Sequence, residues 1–525
     1  MLRYQFTENK EKTKSFISGL ILLTAFILTL LIRFSNIADR PLHNDEAVNS
    51  YKLKSLIEQG EYKYDPVEYH GPSLYYFSLA GSWLLGISDF KELEEKHIRG
   101  IPVVISLLLF LALYFIRDYL DKVTLVISSA FLIVSPYLNF YSRYYIHEPL
   151  LATFSILMIV SLFRFYISKN TLWIILAGVF AGLVFATKET SVIIFFSIFL
   201  AIILTKSYSE FSLRSIIIFS CSFIIVSILF YSSFFTNFDG VFDSIITFRN
   251  YIVKSSSNIE HTQPWYYYIK IFIYNICNKI VISEFVIVLF AIIGIYFSFN
   301  NWEGKTNYLL IKWISIFSIS TFIIFSLLSY KTPWTIFTGW VGMILISGFG
   351  FSSFYKTIKN KFWKSTLQFF LVLAVAHLGY QSYITSFKMT DEPSNPYTYS
   401  QPTNKIYQLT KEVNKLIKYD NDVLINVIAK DNQYWPLPWY FRKANNVAWN
   451  NIPKSDLYNF DILIFEPEFL DQVTEILYTS PKPGEINLYI PILEKDIPIR
   501  PGKVFSSYIK NDFYQSFLRT TNAND

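Results

Sequence analysis

Two cysteines in 525 residues are too few to hold a fold together by disulfides. Cys221 falls inside a long apolar run and Cys277 at the edge of another, and no Cys/His spacing suits zinc, so disulfide scaffolds and zinc fingers are excluded. Charge is scarce as well: Asp, Glu, Lys and Arg make up 16% of the chain against 52% hydrophobic residues, a balance that ordinary water-soluble proteins do not carry. The Gly-rich phosphate loop of nucleotide-binding proteins is missing, and no internal repeat supports an inverted-repeat transporter. A formal charge of +6 does not mark a nucleic-acid partner, because the lysines and arginines gather between apolar runs, where they record membrane topology.

What the chain has is apolar sequence in long stretches. About eleven windows are candidates to cross a bilayer: residues 15–33, 98–116, 122–140, 149–167, 172–187, 191–205, 215–235, 279–298, 308–329, 333–352 and 365–383. Those at 172–187 and 191–205 are short for a straight crossing. The first has no cleavage site behind it and is expected to be retained. Residues 73–87 are too short for a span and rich in aromatics, which predicts a helix lying at the membrane surface. Residues 1–390 therefore form a membrane domain with a first outer loop at 34–97, and residues 391–525, with their charges and prolines, a soluble domain. The basic run Lys356-Thr357-Ile358-Lys359-Asn360-Lys361 marks a cytoplasmic loop, so an odd number of spans places the C-terminal domain outside the cytoplasm, in a multi-pass protein of the plasma (inner) membrane.

The same topology puts four polar clusters on the outer side. Asp45-Glu46 are two carboxylates at a membrane face, suited to a reaction in which one takes a proton from a hydroxyl and the other orients it or holds a metal. They equally suit the first turn of a helix with Asn44 as its cap. Tyr69-His70-Gly71-Pro72, further along that loop, offers a turn and groups able to pack on a sugar or bond a phosphate, or an interfacial aromatic belt. His147-Glu148 suits a divalent cation, a phosphate or a plain helix start, and Arg143 just before it is the better phosphate ligand because a guanidinium binds bidentately. Lys188-Glu189 reads as part of a site or as a solvated ion pair. In Tyr330-Lys331-Thr332-Pro333-Trp334 the lysine can meet a lipid phosphate while Trp334 anchors the interface, or it can snorkel. Charge at membrane depth is costly unless it faces a cavity or a partner, so four clusters at one face predict one shared outward cavity. The loop 236–278, amphipathic over 238–253, covers that cavity, holds a lipid chain or anchors the surface.

Together these motifs resemble the GT-C superfamily of membrane glycosyltransferases, and within it glycosyltransferase family 39, the protein mannosyltransferases and aminoarabinose transferases. With His43-Asn44-Asp45-Glu46-Ala47, Tyr64-Asp65-Pro66 and Trp435-Pro436-Leu437-Pro438-Trp439-Tyr440 added, the chain is similar over nearly its whole length to the family named for an archaeal flippase-associated glycosylation protein. That resemblance implies inverting transfer of a sugar from a polyprenyl-phosphate donor to a lipid, glycan or protein acceptor. It makes Asp45 the base and Glu46 its partner, with Arg143, Lys188 and Lys331 on the donor phosphate. Tyr69, His70, His147, Glu148, Glu189, Tyr330 and Trp334 would line the substrate site. His147-Glu148 departs from the family's more usual acidic pair, leaving a divalent cation as a candidate cofactor with those two as candidate ligands. The competing expectation is a non-catalytic membrane protein that binds lipid-linked sugars or assists their translocation.

In the tail, residues 405–417 and 467–477 read as helices and 422–429 and 461–465 as strands, which predicts a small α/β domain. The Trp435–Tyr440 run suits either carbohydrate stacking or a packed aromatic turn.

Overall fold

The computed structural model describes residues 2–68, 70–257, 261–300, 306–481 and 487–522. Helix α1 (Leu2–Phe34) is followed in the first long loop by α2 (Asn44–Glu58) and α3 (Ser73–Leu85). The chain then runs through α4 (Glu95–Ile116), α5 (Lys122–Val134), the short α6 (Pro136–Tyr141), α7 (Glu148–Ser168), α8 (Thr171–Phe185), α9 (Ser191–Leu204) and α10 (Leu213–Tyr231). Next come α11 (Asp239–Ser257), α12 (Tyr267–Ile273), the hairpin β1 (Asn275–Cys277) and β2 (Ile280–Ile282), and α13 (Phe285–Asn300), α14 (Thr306–Leu327), α15 (Phe337–Thr357) and α16 (Lys361–Tyr383). Among the described residues, seven helices are long and apolar enough to cross a membrane and four shorter apolar helices accompany them, each on one of the apolar windows. The chain is a polytopic helical membrane protein.

Two windows are corrected. The stretch 122–140 is not one helix: Pro136 has no N–H to give and pushes Ser135 to ψ 115°, so α5 stops and Ser135 caps α6. The stretch 279–298 opens with β2, and its helix starts at Phe285, after the buried Glu284. That carboxylate accepts from Ser135 Oγ (2.5 Å), Tyr137 N (2.9 Å) and Tyr397 Oη (3.0 Å), tying the helix break to the tail.

Helices pack closely where side chains vanish. A Cβ on Gly350 of α15 would lie 1.9 Å from Phe290 O and 2.6 Å from Gly294 N of α13. Gly350→Leu is therefore expected to cost about 3 kcal/mol or more, read as loss of a monodisperse peak in detergent. Arg33 near the end of α1 donates to Ser106 Oγ (2.7 Å), Asn139 Oδ1 (3.1 Å) and Leu132 O (3.1 Å), fastening a helix whose outer face is largely exposed and apolar.

The C-terminal domain is a mixed sheet. Strands β3 (Leu424–Ile428), β4 (Asn446–Asn450) and β5 (Ile462–Phe465) run parallel; β6 (Tyr489–Pro491), β7 (Ile497–Arg500) and β8 (Lys503–Lys510) complete it, in the order β4-β3-β5-β8-β6 with β7 also on β8. Helices α17 (Ile406–Tyr419), α19 (Leu470–Thr479) and α20 (Asn511–Asn522) accompany it. The aromatic run forms one helical turn, α18 (Leu437–Tyr440), and is a docking plug: Trp439 Nε1 donates to Glu95 (2.8 Å), Tyr440 Oη accepts from Leu42 N (3.0 Å), and Tyr51 Oη donates to Pro438 O (2.9 Å). Of the two readings of this run, the structure shows the packed turn.

Candidate active site

Three loops and α2 meet on the side of the membrane domain that carries the tail. His43, not Asn44, caps α2. Its backbone N–H donates to Glu46 Oε2 (2.9 Å), and its Nδ1 accepts from Asp45 N (3.1 Å). Its Nε2 lies 2.9 Å from the carbonyl of Tyr399, to which it donates.

The acidic pair is thereby divided. Glu46 is fully buried and clasped by Arg99, Nε to Oε1 at 2.7 Å and Nη2 to Oε2 at 2.8 Å, with Arg40 at 3.6 Å and Tyr145 N–H at 2.9 Å. Burial alone would raise its pKa, but the charges of Arg99 and Arg40 and the Arg99 hydrogen bonds hold it at about 2. Asp45, one residue earlier, turns the other way with its side chain 51% exposed.

Asp45 opens onto a cavity of about 230 Å³. With it on the same face of α2 stand Val48, Asn49 and Lys52, at the i, i+3, i+4, i+7 spacing of one helical stripe. Lys52 and Asn49 are additions to the sequence reading, and that spacing was their signal. Asn49 is set by Tyr75 Oη (3.1 Å) and by its own bond to Tyr145 O (3.1 Å). Across the cavity are His70, His147, Glu148 and Lys188, with Tyr330 and Trp334 closing it. Lys188 Nζ lies 2.6 Å from Glu148 Oε1, a largely buried ion pair. His70 Nδ1 meets Glu189 Oε2 at 3.0 Å. Burial would raise Glu189, and the charge and hydrogen bond of His70, with Lys188, outweigh it and hold the carboxyl at about 2. His147 lies 3.2 Å from Gly71 O, and burial followed by the charges of His70 and Lys188 pushes it well below 6.5, so it stays neutral.

Two expected phosphate ligands stand apart from this lining. Arg143 is spent on the carbonyls of Ser386 (2.7 Å), Ser35 (2.6 Å) and Asn36 (3.0 Å), closing the ends of α1 and α16. Lys331 is buried and turned back, its Nζ donating to the carbonyls of Gln263 (2.9 Å) and Leu328, where it pins the strap 261–263. Thr262 pairs there with Tyr330, so the segment after α11 is stitched beside the cavity. Tyr69 lies outside the described residues. Among the described residues no group of three or more His, Cys, Asp or Glu side chains converges as metal ligands. With Glu148 engaged by Lys188, His147 and Glu148 do not complete a cation site by themselves.

Residues 78–233, from within α3 to just past α10, match the model of the family described as dolichyl-phosphate-mannose-protein mannosyltransferase. That segment holds Arg143, His147, Glu148, Lys188 and Glu189 but neither Asp45 nor Tyr330. No curated protein matches the sequence. Among solved structures, the chain is similar to ArnT from Cupriavidus metallidurans bound to undecaprenyl phosphate, at 12% identity and a TM-score of 0.63, covering 93% of this chain and 98% of that one. It is also similar to the archaeal oligosaccharyltransferase AglB from Archaeoglobus fulgidus in complex with an inhibitory peptide and a dolichol-phosphate, at 12% identity and 0.53, covering 86% and 70%. These likenesses give the fold, which is like that of ArnT, and the sequence match over 78–233 is a similarity of that segment to the dolichyl-phosphate-mannose-protein mannosyltransferase family.

Proposed function

We propose that this cavity transfers a sugar from a polyprenyl-phosphate donor to a hydroxyl of a lipid, glycan or protein, with inversion, at the outer face of the plasma membrane. One observation carries the reading: the acidic pair is divided, Glu46 locked to Arg99 so that Asp45 is presented to a cavity with Lys52 on its own helix and Lys188 opposite. A sugar 1-phosphate already has a good leaving group, so the protein must supply a base, neutralise the phosphate and fix the geometry. Asp45 takes the acceptor's proton, and the acceptor oxygen forms its bond to the anomeric carbon. The bond from that carbon to the phosphate oxygen breaks, and its electron pair leaves with the polyprenyl phosphate. Lys52, whose Nζ also donates to Glu68 O, and Lys188, held by Glu148, are the cations lining the cavity that would meet that developing charge.

Lys52→Met is expected to raise the KM for donor about 10-fold or more, the loss of one charge-assisted hydrogen bond, with a smaller change in kcat. Titration of donor against initial rate reads it. The function itself is tested by incubating purified protein in nanodiscs with polyprenyl-phosphate-linked sugars and a cell extract supplying lipid, glycan and protein acceptors, and following the donors by mass spectrometry. One donor should disappear as free polyprenyl phosphate accumulates. Donor that binds and is never turned over would instead support the non-catalytic carrier.

A further inference from the structure

On the other side of the Asp45–Glu46 turn, two adjoining hollows lie where α1, α5 and α16 end. The upper one, about 290 Å³, is polar and lined by Asp39, Arg40, Thr390, Lys388 and Asn404. The lower one, about 320 Å³, is apolar, between Ile32, Ile133, Val134 and Gly379. Asn36, Tyr383 and Phe387 border both, so the two adjoin. They share no lining residue with the cavity at Asp45.

The polar half sits in a small excess of positive charge even with Asp391 counted, whose Oδ2 accepts from Asn404 N at 2.8 Å. Arg40, Arg99 and Arg143 surround one buried carboxylate, Glu46, and exposed Lys388 stands at the mouth against the exposed Asp39. Arg40 is 7% exposed and lines the hollow, yet its Nε has no hydrogen-bond partner; the Nε of Arg143, whose guanidinium lies 4.2 Å from the Phe387 ring centroid, has none either. Carbonyls at these helix ends would repel an anion, but Arg33 and Arg143 already cover those of Leu132, Ser35, Asn36 and Ser386. Below, α1 and α16 are apolar helices with large exposed faces, including Leu31 at 59% and Val372 at 67%, so the groove opens toward bilayer lipid.

We propose that this double hollow binds an anionic glycerophospholipid of the surrounding bilayer, its phosphate beside Arg40 and Lys388 and an acyl chain in the groove past Gly379. Charge complementarity selects the headgroup, and the bilayer-facing position of the apolar half selects a membrane lipid. The site is separate from sugar transfer and does not rest on that reading.

Gly379 gives the test, because a Cβ there would meet only Val134 Cγ1 at 3.8 Å, ordinary contact, while a ring would fill the groove. Native mass spectrometry of the purified protein with added phosphatidylglycerol or phosphatidylcholine is expected to show preferential retention of phosphatidylglycerol. Gly379→Phe and Lys388→Glu should each weaken that retention about fivefold or more, and Gly379→Ala should keep it. Equal retention of the two lipids by the wild type, or unchanged retention in folded Gly379→Phe and Lys388→Glu, overturns the proposal. So does loss from Gly379→Phe of added polyprenyl phosphate in place of phosphatidylglycerol, which would make the groove the donor's. Should Gly379→Phe fail to fold, the exposed Lys388→Glu decides alone.

Discussion

Asp45→Asn is expected to lower turnover by about 10²–10⁴-fold, the usual worth of a positioned general base, while donor binding changes little. The side chain is close to isosteric and half exposed, and its backbone N–H, not its carboxylate, makes the bond to His43. The loss therefore falls on proton transfer and leaves the turn intact. Turnover by release of polyprenyl phosphate and binding by equilibrium titration separate the two effects. A comparable rise in donor Kd would mean that Asp45 serves binding instead.

Arg99→Met is the second large effect, and it falls on stability. Arg99 is fully buried and gives five hydrogen bonds: two to Glu46 and three to the carbonyls of Ile37 (2.9 Å), Arg40 (2.8 Å) and Pro41 (3.1 Å). Removing it leaves the Glu46 charge buried with Arg40 as its remaining cation, a change that costs about 3–5 kcal/mol. A thermal melt in detergent should show it as a large drop in Tm, and pairing Arg99→Met with Glu46→Leu should recover part of the drop. The pH dependence has a definite sign. Glu46 is held at about 2 against an ordinary 4.5, so its contribution is complete above 4.5 and is lost as pH falls through about 2. Glu46→Gln should accordingly narrow the difference from wild type only below pH 4.5, and no such change should appear between pH 8 and 5.

Much of this architecture was legible in the chain because a bilayer enforces it. Apolar runs long enough to cross must satisfy their backbone internally, so each became a helix. The breaks were less visible: Pro136 and Glu284 interrupt windows whose average hydropathy hides them. In the tail, β3, β5 and the helices α17 and α19 were readable, whereas β4, β6, β7 and β8 carry polar residues and prolines that blur the alternation of a strand. At the site, position alone could not say which way a side chain turns. Asp45 and Glu46 are adjacent, yet one faces the cavity and the other Arg99, a partner 53 residues away. Arg143 and Lys331 carry the right charge at the right end of the membrane domain, but nearby backbone carbonyls claim both. Lys52 was readable in principle, because the stripe from Asp45 through Asn49 repeats at helical spacing.

The central claim is one displacement at the anomeric carbon, with Asp45 as base and no sugar bonded to the protein. The anomeric configuration of the product, read by proton NMR against that of the donor, tests it most directly. Inversion is the predicted result. Retention would require two displacements and a covalent sugar–protein intermediate, and would contradict the role given to Asp45.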